Sequence, residues 1–142
     1  MAFQRGDIVL IPVPFTNLAG PTVRPAVVLS GPAYQATEPD LILGAITANL
    51  AGATAPVDYV LADWRAANLK FPSAFKPVLF TIDPSLVVYR IGRLSRRDLD
   101  EVDNRVRLAF AAGPQLSEAA PRPELQQLDR IIANALAEDI GD

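Results

Sequence analysis

The first two thirds of the chain alternate between short apolar runs rich in β-branched residues and breaks made of Gly, Pro, Asp and Ser. Runs of that kind predict buried strands. Residues 7–14 form the first, and Pro12 and Pro14, which cannot donate to a ladder, predict a sheet edge or strand exit at its end. Residues 23–30 and 41–47 predict the next two strands, and residues 57–61 a short fourth. Residues 77–83 and 86–92 predict a hairpin turning on Asp83-Pro84-Ser85. The segments between them read as loops: 15–22, punctuated by Gly20-Pro21, then 31–39 and the small residues of 49–56. Residues 62–69 suggest a helical turn capped by Asp63.

From Ser95 the period changes. Ser95-Arg96-Arg97-Asp98 carries a helix-capping signal, and Leu99, Val102, Val106 and Phe110 follow as one apolar stripe, stopped by Gly113-Pro114. Residues 115–122 read as a linker. Pro123 then opens a second helix with Leu125, Leu128, Ile132 and Leu136 on one face. An isolated helix of that length is marginal in water, so this one is expected to dock on its own domain, on a second copy or on a partner. Six strands followed by a helix predict a mainly β fold with C-terminal helices: a small, strongly curved β-barrel with one helix packed across it. The expected domains are 1–113 and an appended 114–142.

Composition narrows the chemistry more than the fold. The 142 residues contain no cysteine and no histidine, which excludes disulfides, thiolate nucleophiles, imidazole acid/base catalysis and the usual zinc sites. No metal or cofactor is expected. No apolar run approaches the roughly 20 residues that span a bilayer, and the N-terminus lacks the order of a signal peptide. The expectation is therefore a cytoplasmic protein with no membrane partner. Residues 1–113 hold eleven basic and ten acidic residues, net +1; residues 114–142 hold two against six, net −4. The acidity is a property of the tail, and the body is close to neutral.

Two polar residues stand out against the strands. Arg24 enters the 23–30 run and Thr47 ends the 41–47 run, so neighbouring strands would bring a guanidinium and a hydroxyl together at one rim. The plain alternative is a structural Arg before a proline and a Thr in a strand that favours Thr. The 15–22 loop is longer than a tight hairpin needs and suits a flap over a site. Trp64 reads first as a core or lid residue, with base stacking as its other use.

Several segments occur together in one order: Arg5-Gly6-Asp7-Ile8-Val9 with Pro14-Phe15, Val23-Arg24-Pro25-Ala26-Val27-Val28-Leu29-Ser30, Ala45-Ile46-Thr47, Trp64 to Pro72-Ser73, Phe80-Thr81-Ile82-Asp83 and Ile91-Gly92-Arg93-Leu94-Ser95. As a set, over about residues 5–112, they resemble the PemK/MazF family of toxins from bacterial toxin–antitoxin pairs. The resemblance implies an SH3-like barrel, a homodimer, and metal-independent, sequence-specific cleavage of single-stranded RNA, with messenger RNA as the expected target. It also implies a cognate antitoxin, with operator DNA contacted only through that antitoxin. Arg24 and Thr47 fall on the family's catalytic Arg and Thr. Phe15, Thr16, Asn17, Ser73, Lys76 and Asp83 are the expected RNA-binding residues, and Arg93, Arg96 and Arg97 are further candidates.

That chemistry suits the residues present. RNA supplies its own nucleophile, the 2′-hydroxyl, and a guanidinium fork matches two phosphate oxygens and stays charged. The expected products are a 2′,3′-cyclic phosphate and a 5′-hydroxyl. The proton acceptor is left open. Two other readings stand beside the nuclease: a non-catalytic CcdB-like poison of DNA gyrase, whose Trp-Gly-Ile ending is missing from Asp139-Ile140-Gly141-Asp142, and a degenerate member that only binds or autoregulates. The flap, residues 15–23, carries no Lys or Arg, and the acidic tail extends beyond the usual family length. The tail is expected to damp activity.

Overall fold

The computed structural model describes residues 2–13, 22–113 and 123–140. It divides into two compact units, residues 1–111 and 112–142. In the first unit, six strands form a single antiparallel sheet: β1 (Asp7–Val13), β2 (Thr22–Val28), β3 (Leu41–Thr47), β4 (Tyr59–Val60), β5 (Ala74–Ile82) and β6 (Tyr89–Arg93), in the order β4-β5-β3-β2-β1-β6. A four-residue helix, α1 (Pro32–Gln35), lies between β2 and β3, and α2 (Arg96–Phe110) follows β6.

The central strands β1, β2 and β3 are buried on both faces, which is why they read as continuous apolar runs and not as alternation. One face places Ile8, Val27, Ile46 and Phe75 against Leu61, Ala67, Leu94 and Val102 of α2. The other gathers Val9, Ile11, Ala26, Val28, Leu41 and Leu43 with Phe3, and Phe80, Ile82 and Val87 pack against them. Full burial of side chains such as Phe75, Ile8 and Leu43 contributes about 1.5–3 kcal/mol each. The curl brings Phe75 so close to β3 that a Cβ on Gly44 would stand 2.5 Å from its ring. The expected curved, mainly β fold with C-terminal helices is the fold observed.

Three local expectations are corrected. β5 and β6 do not form a hairpin: β5 lies between β3 and β4, while β6 pairs with β1 at the other side of the sheet. The Asp83-Pro84-Ser85 segment starts a 3-10 turn (Pro84–Leu86) that carries the chain across. β5 also begins at Ala74, earlier than residue 77. Its register jumps from Gly44↔Leu79 to Ala45↔Lys76, a bulge that takes up Pro77, which has no N–H for a ladder, and exposed Val78. Third, the chain turns at residues 64–68, but the Asp63 carboxylate is taken by Ser95 and Arg97.

Ser95 caps α2 as its sequence predicts, its Oγ accepting from Asp98 N at 3.2 Å. Asp98 itself does not return to the cap. It is fully buried and accepts from Tyr59 Oη (2.7 Å), Ala62 N (3.0 Å) and Asp63 N (2.8 Å), which ties α2 to β4 and the turn that follows. A second buried carboxylate, Asp7, receives Gln4 N at 2.8 Å and Arg93 Nε at 3.1 Å, holding β1 to β6. In the second unit, α3 (Pro123–Ile140) is the expected second helix, and its Ile131, Ile132 and Leu136 are exposed. The side chains of Leu125 and Leu128, and the 115–122 linker, lie outside the described residues.

Candidate active site

Strand register builds the site. The β2–β3 ladder runs Val28↔Leu43, Val27↔Gly44, Ala26↔Ala45. The ladder ends at Ala26↔Ala45, and Arg24 and Thr47 stand two residues beyond that last pair, at the adjacent ends of β2 and β3 and on one face. That face is the one carrying Ala26 and Ala45. Arg24 is exposed and is flanked on its other side by Ile11 of β1, while Thr47 is half-buried. Among the described residues no carboxylate lies within ion-pair distance of Arg24.

The surroundings of Thr47 fix what its hydroxyl can do. Asn49 N donates to Thr47 Oγ1 at 3.0 Å, so one lone pair is occupied and the hydroxyl proton is left to point elsewhere. Thr47 is therefore set up as a donor. An anionic oxygen held by the Arg24 fork is the acceptor that suits it.

The other candidates divide. Lys76 sits on β5 opposite Ala45 and hence on the Thr47 face, but its ammonium is engaged by Asp58 Oδ2 at 2.8 Å and the Gly52 carbonyl at 2.9 Å. Its hydrogen bond holds the buried Asp58 carboxyl below the usual carboxylate range, against burial, which pushes it up. Ser73 precedes Ala74, the partner of Thr47, and so lies at the right end of the sheet. It is buried, however, and its hydroxyl donates to the Phe71 carbonyl at 2.8 Å. Asp83 is not brought to the pair. It follows Ile82, which pairs with Leu41 at the far end of β3, about 20 Å from Thr47 at roughly 3.3 Å per residue. There its carboxylate accepts from Ser85 N at 2.9 Å, the bond that lowers its pKa. Phe15, Thr16 and Asn17 lie outside the described residues.

The remaining aromatic and arginine candidates carry structural contacts. Trp64 packs against the core, with the Arg65 guanidinium 4.9 Å above its ring. Arg93 holds Asp7, Arg96 pairs with Asp100 on α2, and Arg97 meets Asp63. Sequence reasoning missed Asn49 and Asp58. An Asn in a small-residue loop two positions after Thr47 is a turn signal that could have pointed to the first. The second meets Lys76 across 18 residues of chain, which leaves no local trace.

The profile of one family, described as the PemK-like, MazF-like toxin of type II toxin–antitoxin systems, matches residues 4–110, ending where α2 ends. Among curated proteins, none matches the chain in sequence. Solved structures share its fold at low identity. A mycobacterial endoribonuclease in complex with its cognate antitoxin is 11% identical with a TM-score of 0.62, over 79% of this chain and 100% of that one. The MazE–MazF complex of Deinococcus radiodurans gives 20%, 0.59, 78% and 97%. Mycobacterium tuberculosis toxin MazF-mt6 gives 15%, 0.58, 73% and 95%.

Proposed function

We infer that this chain, which belongs to the PemK-like, MazF-like family of toxins of type II toxin–antitoxin systems, is an endoribonuclease that cuts single-stranded RNA at short sequence motifs. What supports the reading is that Arg24 and Thr47 fall on one face of neighbouring strands, each two residues beyond the Ala26↔Ala45 pair. Arg24 is the electrostatic clamp: its fork bridges two oxygens of the scissile phosphate and stabilises the charge that grows there. Thr47, whose oxygen already accepts from Asn49, donates its proton to a phosphate oxygen. The nucleophile is the RNA's own 2′-hydroxyl. Holding it in line with the leaving oxygen lowers the barrier by roughly 7–11 kcal/mol. The 2′-oxygen attacks phosphorus and the bond to the 5′-oxygen breaks, leaving a 2′,3′-cyclic phosphate and a 5′-hydroxyl. No step in that sequence calls for a metal.

The biological reading follows the family. The toxin acts in the cytoplasm as a homodimer on messenger RNA, is neutralised by a cognate antitoxin, and reaches operator DNA only through that antitoxin. The similar structures of a mycobacterial endoribonuclease and of MazF, each bound to an antitoxin, support this assignment. The test is incubation of antitoxin-free protein with a long single-stranded RNA in EDTA, with cut sites mapped beside Arg24→Ala. Discrete cuts that survive chelation and fall at least about 100-fold in the variant are expected. Toxicity in cells that persists in Arg24→Ala would favour the non-catalytic poison, and a folded wild type that neither cuts nor poisons would leave the binding module.

A further inference from the structure

Loop 48–58, which leaves β3 at Thr47, is held by side chains more than by a ladder. Asn49, whose backbone N–H fixes the Thr47 oxygen, accepts from Gly52 N through its own Oδ1 at 3.3 Å. The Gly52 carbonyl is held by Lys76, and Lys76 is held by buried Asp58. The same Asp58 oxygen accepts from Ala55 N at 3.0 Å, and Arg105 of α2 donates to the carbonyls of Pro56 and Asp58. Gly52 sits close beneath the Asn49 side chain, where a Cβ would stand 3.0 Å from Asn49 Nδ2.

A threonine hydroxyl on its own rotates and can present either a proton or a lone pair. A backbone N–H in a fixed loop takes one lone pair and narrows that choice. An ammonium paired with a buried carboxylate, in turn, keeps little field for a distant phosphate. We propose that Lys76 and Asp58 are positioning residues of the active site: through Gly52 and Asn49 they hold the Thr47 hydroxyl as a proton donor, and Lys76 does not contact RNA. The proposal rests on the ribonuclease reading above.

The test compares Lys76→Met, Lys76→Arg and Thr47→Val in single-turnover cleavage, with RNA affinity measured separately in an Arg24→Ala background. Lys76→Met is expected to slow cleavage roughly 10- to 100-fold, the scale of a small misplacement at a reacting centre. RNA affinity and its salt dependence should hold, and Lys76→Arg should restore most of the rate. Adding Lys76→Met to Thr47→Val should slow cleavage no further. Weaker RNA binding with a salt slope reduced by about one would make Lys76 a phosphate contact and overturn the proposal. Full additivity with Thr47→Val would make it a general scaffold residue, with the same consequence. If Lys76→Met fails to fold, Lys76→Met with Asp58→Asn leaves no unpaired buried carboxylate and takes its place. Amide hydrogen exchange separates this proposal from the ribonuclease reading. The Asn49 and Gly52 amides should exchange faster in the variant even if the wild type cuts nothing, and unchanged exchange would refute the positioning role.

Discussion

Asp98→Asn keeps the shape of the side chain and removes one acceptor oxygen and the charge. The wild-type carboxylate is fully buried and takes three hydrogen bonds, from Tyr59 Oη and Ala62 N on Oδ1 and from Asp63 N on Oδ2. An asparagine oriented to keep the Oδ1 pair turns its NH2 toward the Asp63 N–H, leaving a buried donor unsatisfied at a cost of about 1–3 kcal/mol. The two retained bonds lose their charge assistance, roughly another 1 kcal/mol each. Relief from burying a charge offsets part of this. The expected loss is about 2–4 kcal/mol, which lowers Tm by roughly 10–20 °C in a unit of this size. Urea and thermal unfolding followed by circular dichroism measure it. A second readout is independent of stability. Burial first, and then the Asp98 hydrogen bond, push the Tyr59 hydroxyl up to about 12. In Asp98→Asn it should titrate lower yet stay above the ordinary tyrosine value, because the burial remains. Absorbance titration against Tyr59→Phe isolates it from the other tyrosines. A stability loss under about 1 kcal/mol with an unmoved Tyr59 titration would refute the view that Asp98 fastens α2 to the sheet.

Gly44→Ala places a methyl 2.5 Å from the Phe75 ring and 3.1 Å from Leu29 Cδ1, so overpacking should cost about 1–3 kcal/mol in denaturant unfolding. Asp58, held low by Lys76, stabilises the fold above the ordinary carboxylate pKa and loses that contribution as pH falls through its folded value. Urea unfolding in steps below about pH 4 should therefore show a steeper loss in wild type than in Lys76→Met. A chain ending at residue 113 changes the net charge from −3 to +1. It should keep its melting temperature and capture RNA faster at low salt, an advantage that disappears at high salt. A marked drop in melting temperature would instead make the tail a packing element.

The parts of the fold that were legible in the sequence are those with local causes. Continuous apolar runs such as Ile8-Val9-Leu10-Ile11 and Ala26-Val27-Val28 announce strands buried on both faces, and Ser95 announces the start of α2. The placing of Arg24 and Thr47 at one rim was readable as a conditional, since it needed only β2 and β3 to be neighbours. What could not be read depends on pairing across the chain. Asp83-Pro84-Ser85 has the composition of a hairpin turn, and only the competition of β1 for β6 sends the strand elsewhere. Asp83 is kept from the site by the antiparallel pairing of β5 with β3, which leaves it beyond the Leu41↔Ile82 pair. The bulge at Pro77 and Val78 shifts β5 by two residues and decides that Lys76 stands opposite Ala45. The partners of Lys76 and Asp98, Asp58 and Tyr59, are distant in sequence, so their roles emerge only once the sheet is assembled.

The central claim is that Arg24 and Thr47 act together on a phosphate attacked by the neighbouring 2′-hydroxyl. The most direct measurement uses a short RNA bearing the mapped cleavage motif and its twin with a single 2′-deoxy nucleotide before the scissile bond. Wild-type protein should cut the first to a 2′,3′-cyclic phosphate and leave the second intact, while Arg24→Ala and Thr47→Val slow cleavage of the first without changing its site. Cleavage of the deoxy twin, or full activity in both variants, would contradict the account.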